Sequence, residues 1–151
     1  MTAKDAAFDL LKRQKDLPTG DPSVQKQHWL QTLDQLMDLL EAWLQAAESE
    51  GLLKIERDKW RVLEERLGVY IAPRLNVVTP RGDTVTITPR ARYVVGAEGR
   101  VDMECPPKKA IFLHRGSQGW QIAKLAQMQA GWSYEPLTEE SFWAHFKDLL
   151  L

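Results

Sequence analysis

Asp102 and Glu104 are spaced so that both point to one face of a β-strand, and Lys108 and Lys109 follow within a few residues. Two carboxylates holding a divalent ion, with a lysine to steady an attacking water, are the least that metal-dependent phosphodiester cleavage requires. Asp102, Glu104 and Lys108 are therefore the candidate catalytic set. The sequence lacks the acid-x-Lys pairing on a following strand that would complete it. Arg90 and Arg92, expected on the adjacent strand, would instead neutralise both acids across a hairpin, and this pairing carries more weight than the nuclease reading.

The second candidate is a row of arginines and threonines. Arg74, Arg90, Arg92 and Arg100, with Thr84, Thr86 and Thr88, fall on the polar parity of successive predicted strands, and Arg81 lies in the predicted turn between two of them. Arg81, Arg90, Arg92, Arg100 and Thr86 are the candidate binding residues, for an acidic protein or for phosphates. Single-strand nucleic-acid binders also interleave aromatic residues that stack on bases. Here Tyr93 has inward parity, so that interleaving is missing, and a solvated face with internal ion pairs is the stronger explanation.

Other reactive residue types are scattered. His28, His114 and His145 share no helix spacing with one another or with a carboxylate, so they read as surface or packing residues and no metal site is expected. Ser117 and Ser133 lack a nucleophile elbow, and Cys105 has no cationic neighbour to activate it except Lys108. Arg81-Gly82-Asp83 is explained by turn chemistry. Gly96, Gly99, Gly116 and Gly119 precede strands rather than helices, so they form hairpin turns and not a phosphate loop. No cofactor is implied.

These residues must be held by a chain of 151 residues with 44% hydrophobic residues, 27% charged residues and six Trp, the profile of a folded single domain spanning 1–151. The net charge is −1, yet the segment from Tyr70 to Gly116 carries 8 basic and 4 acidic residues. Its excess of positive charge offsets the acidic flanks. Cys105 is the only cysteine, which excludes an intrachain disulfide and a thiolate zinc site and fits a reducing compartment. Met1 to Asp16 lacks the apolar core of a signal peptide, and no run approaches the roughly 18 apolar residues of a membrane span. The expectation is a soluble cytoplasmic protein.

The elements predicted in chain order define an α+β fold. Residues 1–22 hold a short helix, with Phe8 and Leu11 on one side, and a Pro- and Gly-broken loop from Leu17 to Pro22. Residues 23–51 form a long amphipathic helix with Trp29, Leu33, Leu36, Leu40 and Trp43 on one stripe, Leu30, Met37 and Leu44 beside it, and Gly51 as the stop. Residues 52–124 form an antiparallel β-meander of five to seven strands. Within it, Leu52 to Leu67 match both a helix, through Trp60, Leu63 and Leu67, and two short strands; the β-type sequence that follows favours strands. Thr84–Thr88 and Arg90–Val95 read as separate strands. Leu125 to Tyr134 reads as a helical turn or a loop, and residues 137–151 as a helix capped by Thr138, whose Phe142, Trp143 and Phe146 join the long helix in covering the sheet.

With no catalytic constellation, the leading functional expectation is a small non-enzymatic protein-binding domain, of the adaptor or immunity-inhibitor type, using the arginine and threonine face. Nucleic-acid binding through the same face is the alternative, and the nuclease centred on Asp102 and Glu104 the second. No membrane partner is expected.

Overall fold

In the computed structural model, which describes residues 2–16, 22–92, 94, 97–125 and 132–151, the chain order is α1 (Ala3–Asp16), α2 (Pro22–Ser49), β1 (Lys54–Glu64), β2 (Gly68–Val78), β3 (Thr84–Ala91), β4 (Gly99–Cys105), β5 (Lys108–His114), β6 (Trp120–Leu125), β7 (Trp132–Pro136) and α3 (Glu139–Leu150). Each strand pairs antiparallel with the next, giving one seven-stranded sheet in the order β1 to β7. The predicted α+β fold is the observed one. The predicted loop at 17–21 lies outside the described residues, as do Tyr93 and Val95.

α2 has the predicted stripe for a physical reason: its apolar residues recur every three or four positions, so one side can be dehydrated over 28 residues while Gln and acidic residues stay in water. Trp29, Leu33, Leu36, Met37, Leu40 and Leu44 are buried against Leu75, Val77, Val85, Ile87, Val101, Met103, Phe112 and Ile122 of the sheet. α3 is held at its start by the capping box: the Ser141 backbone N–H donates to Thr138 Oγ1 at 3.1 Å, and the Thr138 backbone N–H donates to Ser141 Oγ at 2.8 Å. That box orients Phe142 and Phe146 into the core, where Phe142 meets Trp43 of α2 at 5.6 Å between ring centroids. α1, by contrast, leaves Phe8, Leu10 and Leu11 exposed.

Several boundaries differ from expectation. The ambiguous stretch after α2 is a strand throughout Lys54–Glu64, because an extended hairpin pairs it with β2 over eleven residues and bonds the backbone of every second one. The predicted break at Pro89 is only an irregularity: β3 runs through it to Ala91, with a register shift against β4 between Pro89 and Ala91. Proline is tolerated at such a shift, where a ladder bond is already missing. Of the Leu125 to Tyr134 stretch read as helical turn or loop, residues 126–131 lie outside the described residues; β7 corrects the rest, since Trp132–Pro136 pairs with β6.

The β1–β2 hairpin rolls over as it leaves the sheet. In β2 the buried positions are Leu75 and Val77 on one parity, then Ala72 and Tyr70 on the other. The register with β1 stays one to one across the change, so the ribbon itself twists rather than bulges. Two-stranded ribbons take up more twist than sheets, and β3 pairs only with Leu75–Val78. Gly68, at φ 70°, closes the three-residue turn at the tip in the left-handed conformation that such turns require.

Candidate functional site

The arginine and carboxylate face exists, but its charges are matched within it. Asp102 lies on β4, directly opposite Thr88 of β3 and Ile111 of β5, and is only 2% exposed. Burying a carboxylate is costly without partners. It has two: Arg100 donates to it from Nε at 2.8 Å and from Nη2 at 3.1 Å, and Arg90 donates from Nε at 3.3 Å. Arg90 also donates to Glu104. The hydrogen bonds to Asp102 hold the Arg100 guanidinium above its ordinary pKa. Two guanidiniums and two carboxylates thus form one neutral network across β3 and β4.

The other predicted site residues lie elsewhere. Arg92 donates from its guanidinium to the Glu98 carbonyl, and its backbone N–H donates to Glu64 Oε1 at 2.8 Å. Arg81 is exposed in the β2–β3 turn, where Gly82 takes φ 98° and the Asp83 backbone N–H donates to Thr79 Oγ1. Thr86 is half-buried opposite Glu104. Lys108 has the opposite parity to Asp102 and Glu104, and its Nζ donates to the Asp148 carbonyl of α3 at 3.3 Å. The proposed catalytic lysine and carboxylates are therefore not brought together. Among the described residues no three His, Cys, Asp or Glu side chains gather as metal ligands.

A groove of about 710 Å³ opens between α3 and strands β5 to β7, lined by Lys109, Lys124, Glu135, Ser141 and His145 among others. At its wall Glu135 accepts from Lys124 Nζ at 2.9 Å and lies 2.6 Å from His145 Nε2. Ser141, the nearby hydroxyl, is used in the α3 cap and donates to the Pro136 carbonyl. The hydrogen bond from Lys124, aided by His145 against a smaller burial effect, holds Glu135 below the usual carboxylate range. A lowered carboxylate pKa contributes stability above the unfolded value, about 4.3, and loses it as pH falls through the folded one. Glu135→Gln should therefore lower stability by roughly 0.5–1 kcal/mol near pH 7, with the difference from the parent vanishing toward pH 3 in urea titrations.

The surface that sequence reasoning missed is the solvent side of the β1–β2 hairpin. Beyond the roll, Lys59, Arg61 and Leu63 of β1 stand opposite Pro73, Ile71 and Val69 of β2. Leu63 is 76% exposed, Ile71 50% and Val69 44%. The reverse side of the same ribbon is anchored: Tyr70 accepts a hydrogen bond from Trp29 Nε1 at 3.1 Å and donates to Glu64 Oε2 at 2.5 Å. Burial, reinforced by that Glu64 acceptor, raises the Tyr70 phenol above its usual range. At the base, Arg57 Nη1 and Nη2 reach Asp38 and Asp34, one turn apart on α2, at 2.7 and 3.0 Å. Asp58 and Arg74 pair on the opposite side of the ribbon at 2.6 Å, with the guanidinium 4.7 Å from the Trp60 ring centre. Among the described residues Lys59 and Arg61 have no ion-pair partner. The visible signal was the alternation Lys59-x-Arg61-x-Leu63, which the helical match of Trp60, Leu63 and Leu67 obscured.

No family model, no curated protein and no solved structure matches this chain. No helix among the described residues is long and apolar enough to cross a membrane.

Proposed function

We propose that this chain is a small non-enzymatic protein-binding domain, of the adaptor or inhibitor type, that meets its partner through the solvent side of the β1–β2 hairpin. One observation carries the reading: three large apolar side chains, Leu63, Val69 and Ile71, lie exposed as cross-strand neighbours beside two uncompensated cations. Single exposed apolar residues are ordinary, whereas a contiguous cluster rimmed by charge is typical of a binding surface. The ribbon is pinned at Tyr70 and Arg57, so the cluster is presented with little entropy left to lose on binding. The arginine face is less suited to either an acidic protein or a nucleic acid, because Arg90 and Arg100 are already neutralised by Asp102 and Glu104. A reducing, cytoplasmic setting accords with the lone half-buried Cys105.

The test is affinity capture from the source cell with the parent protein, a Leu63→Asp/Ile71→Asp variant, and Leu39→Asp on an exposed position of α2 as control. The protein retained by the parent should be reduced about tenfold or more by the hairpin variant, as for a desolvated interface anchor, and unchanged by Leu39→Asp. Equal retention by the hairpin variant, or no retention above a blank surface, overturns the reading.

A further inference from the structure

We infer that the partner contributes an extended, acidic segment that adds as an eighth strand to the open edge of β1; this rests on the reading that the hairpin binds protein. β1 is one edge of the sheet and runs for eleven residues without proline and in unbroken register with β2. Strand edges of this length are usually covered or interrupted, since each carries unpaired main-chain donors and acceptors.

The direction of those groups follows from a single bond. The Ile55 backbone N–H donates to Glu48 Oε2 of α2 at 2.9 Å, so it points away from β2. In an antiparallel ladder, residues alternate between bonding their neighbour and facing outward. With the register intact, Arg57, Lys59, Arg61 and Leu63 also direct their N–H and C=O to the open edge. Glu48 closes the edge at its first outward residue, and the remaining four are left for a guest strand.

The side chains of those same residues define the guest. Every charge on the other parity of β1 is matched internally: Lys54 with Glu56, Asp58 with Arg74, and Glu64 with Tyr70 and the Arg92 backbone. On the outward parity Arg57 is held by α2. Burial alone would lower the Arg57 pKa, but its hydrogen bonds to Asp38 and Asp34 and the charge of nearby Glu41 together outweigh that and raise it. Lys59, Arg61 and Leu63 therefore present two cations and then an apolar group at alternate positions on one face. An extended segment with acids at alternate positions and an apolar residue opposite Leu63 meets all three.

A second copy of this chain does not. A two-fold axis normal to the sheet pairs residues of equal parity. Centred on Lys59 it sets Lys59 against itself, on Trp60 it sets Lys59 against Arg61, and on Arg61 it sets Arg61 against itself. Like charges directly opposite are destabilising, so the row that attracts an acidic strand also blocks self-association.

The probe is a short peptide alternating glutamate and valine, with leucine replacing the glutamate that falls opposite Leu63, added to the 151-residue chain and followed by amide hydrogen exchange. Exchange at Arg57, Lys59, Arg61 and Leu63 should slow about tenfold or more, with the residues between them little changed. A peptide with lysine in place of glutamate should bind at least about tenfold more weakly, and Lys59→Glu/Arg61→Glu should reverse that preference. Methylation of alternate peptide nitrogens should abolish the protection. Lys59→Pro should do the same while the β1–β2 ladder persists, because the Lys59 N–H is not part of it. Absence of peptide binding, binding without this alternating protection, or equal binding of the methylated or lysine peptide overturns strand addition. Failure of the underlying reading is distinct: there the native partner would remain bound to Leu63→Asp/Ile71→Asp.

Discussion

Trp29→Ala is expected to cost about 3–5 kcal/mol of stability, in the range for removing a fully buried aromatic, and Gly99→Ala about 1–3 kcal/mol or more. The two residues are one feature. A Cβ placed on Gly99 would lie 2.2 Å from Trp29 Cη2 and 2.4 Å from Cζ3, so the indole occupies the space that any side chain at 99 would take. The contact is to the rigid end of a ring that is also confined by Trp120, at 6.1 Å between centroids, and by its hydrogen bond to Tyr70. It has nowhere inexpensive to move. Because the Gly99 requirement arises from the ring and not from its backbone angles, the cycle should be strongly non-additive: Gly99→Ala in the Trp29→Ala background should cost only a few tenths of a kcal/mol. Urea unfolding of the four proteins measures this directly. An additive cycle would mean that Gly99 is needed for some other reason.

The second large effect concerns the buried carboxylate. Replacing Arg90 and Arg100 together by Met leaves Asp102, 2% exposed, without either cation. Stranding one member of a buried ion pair costs on the order of 3–5 kcal/mol. Asp102→Asn alone should cost less, about 1.5–3 kcal/mol, the range for hydrogen bonds to charged groups, because both guanidiniums can turn toward solvent. Adding Asp102→Asn to the double Met variant should recover a large part of the loss, since a neutral amide needs no countercharge. Thermal melts of the three variants decide it. If the double Met variant is as stable as the parent, the network is not holding Asp102. The same geometry warns against charge reversal at Arg90 as a binding test: a glutamate there would face Asp102 and Glu104, and loss of partner would report unfolding rather than a lost contact.

How much of this was legible beforehand depended on range. The candidate site illustrates the limit. Alternation placed Asp102, Glu104, Arg90 and Arg100 on one face correctly, because strand parity is local. Whether those charges faced solvent or each other depended on which strands became neighbours and in what register. Lys108 failed as a partner for the same reason: at the β5 start it takes the parity opposite to Glu104 and reaches α3 instead. The hairpin surface was illegible because Leu63 fits a buried helical stripe as well as an exposed strand position, and only its pairing with Val69 chooses between them.

The sequence alone determined α2, the β2–β3 hairpin, the capped start of α3 and hence the α+β class, since apolar spacing, a turn glycine and a Thr138–Ser141 box act over a few residues at a time. Tertiary structure alone decided that 54–64 is an edge strand, that the ribbon rolls at Pro73 so that one parity changes from buried to exposed, and that Asp102 is enclosed. Each of these depends on contacts between residues distant in the chain, where Trp29, Tyr70 and Gly99 meet, and no local pattern encodes which distant residue will fill the space opposite.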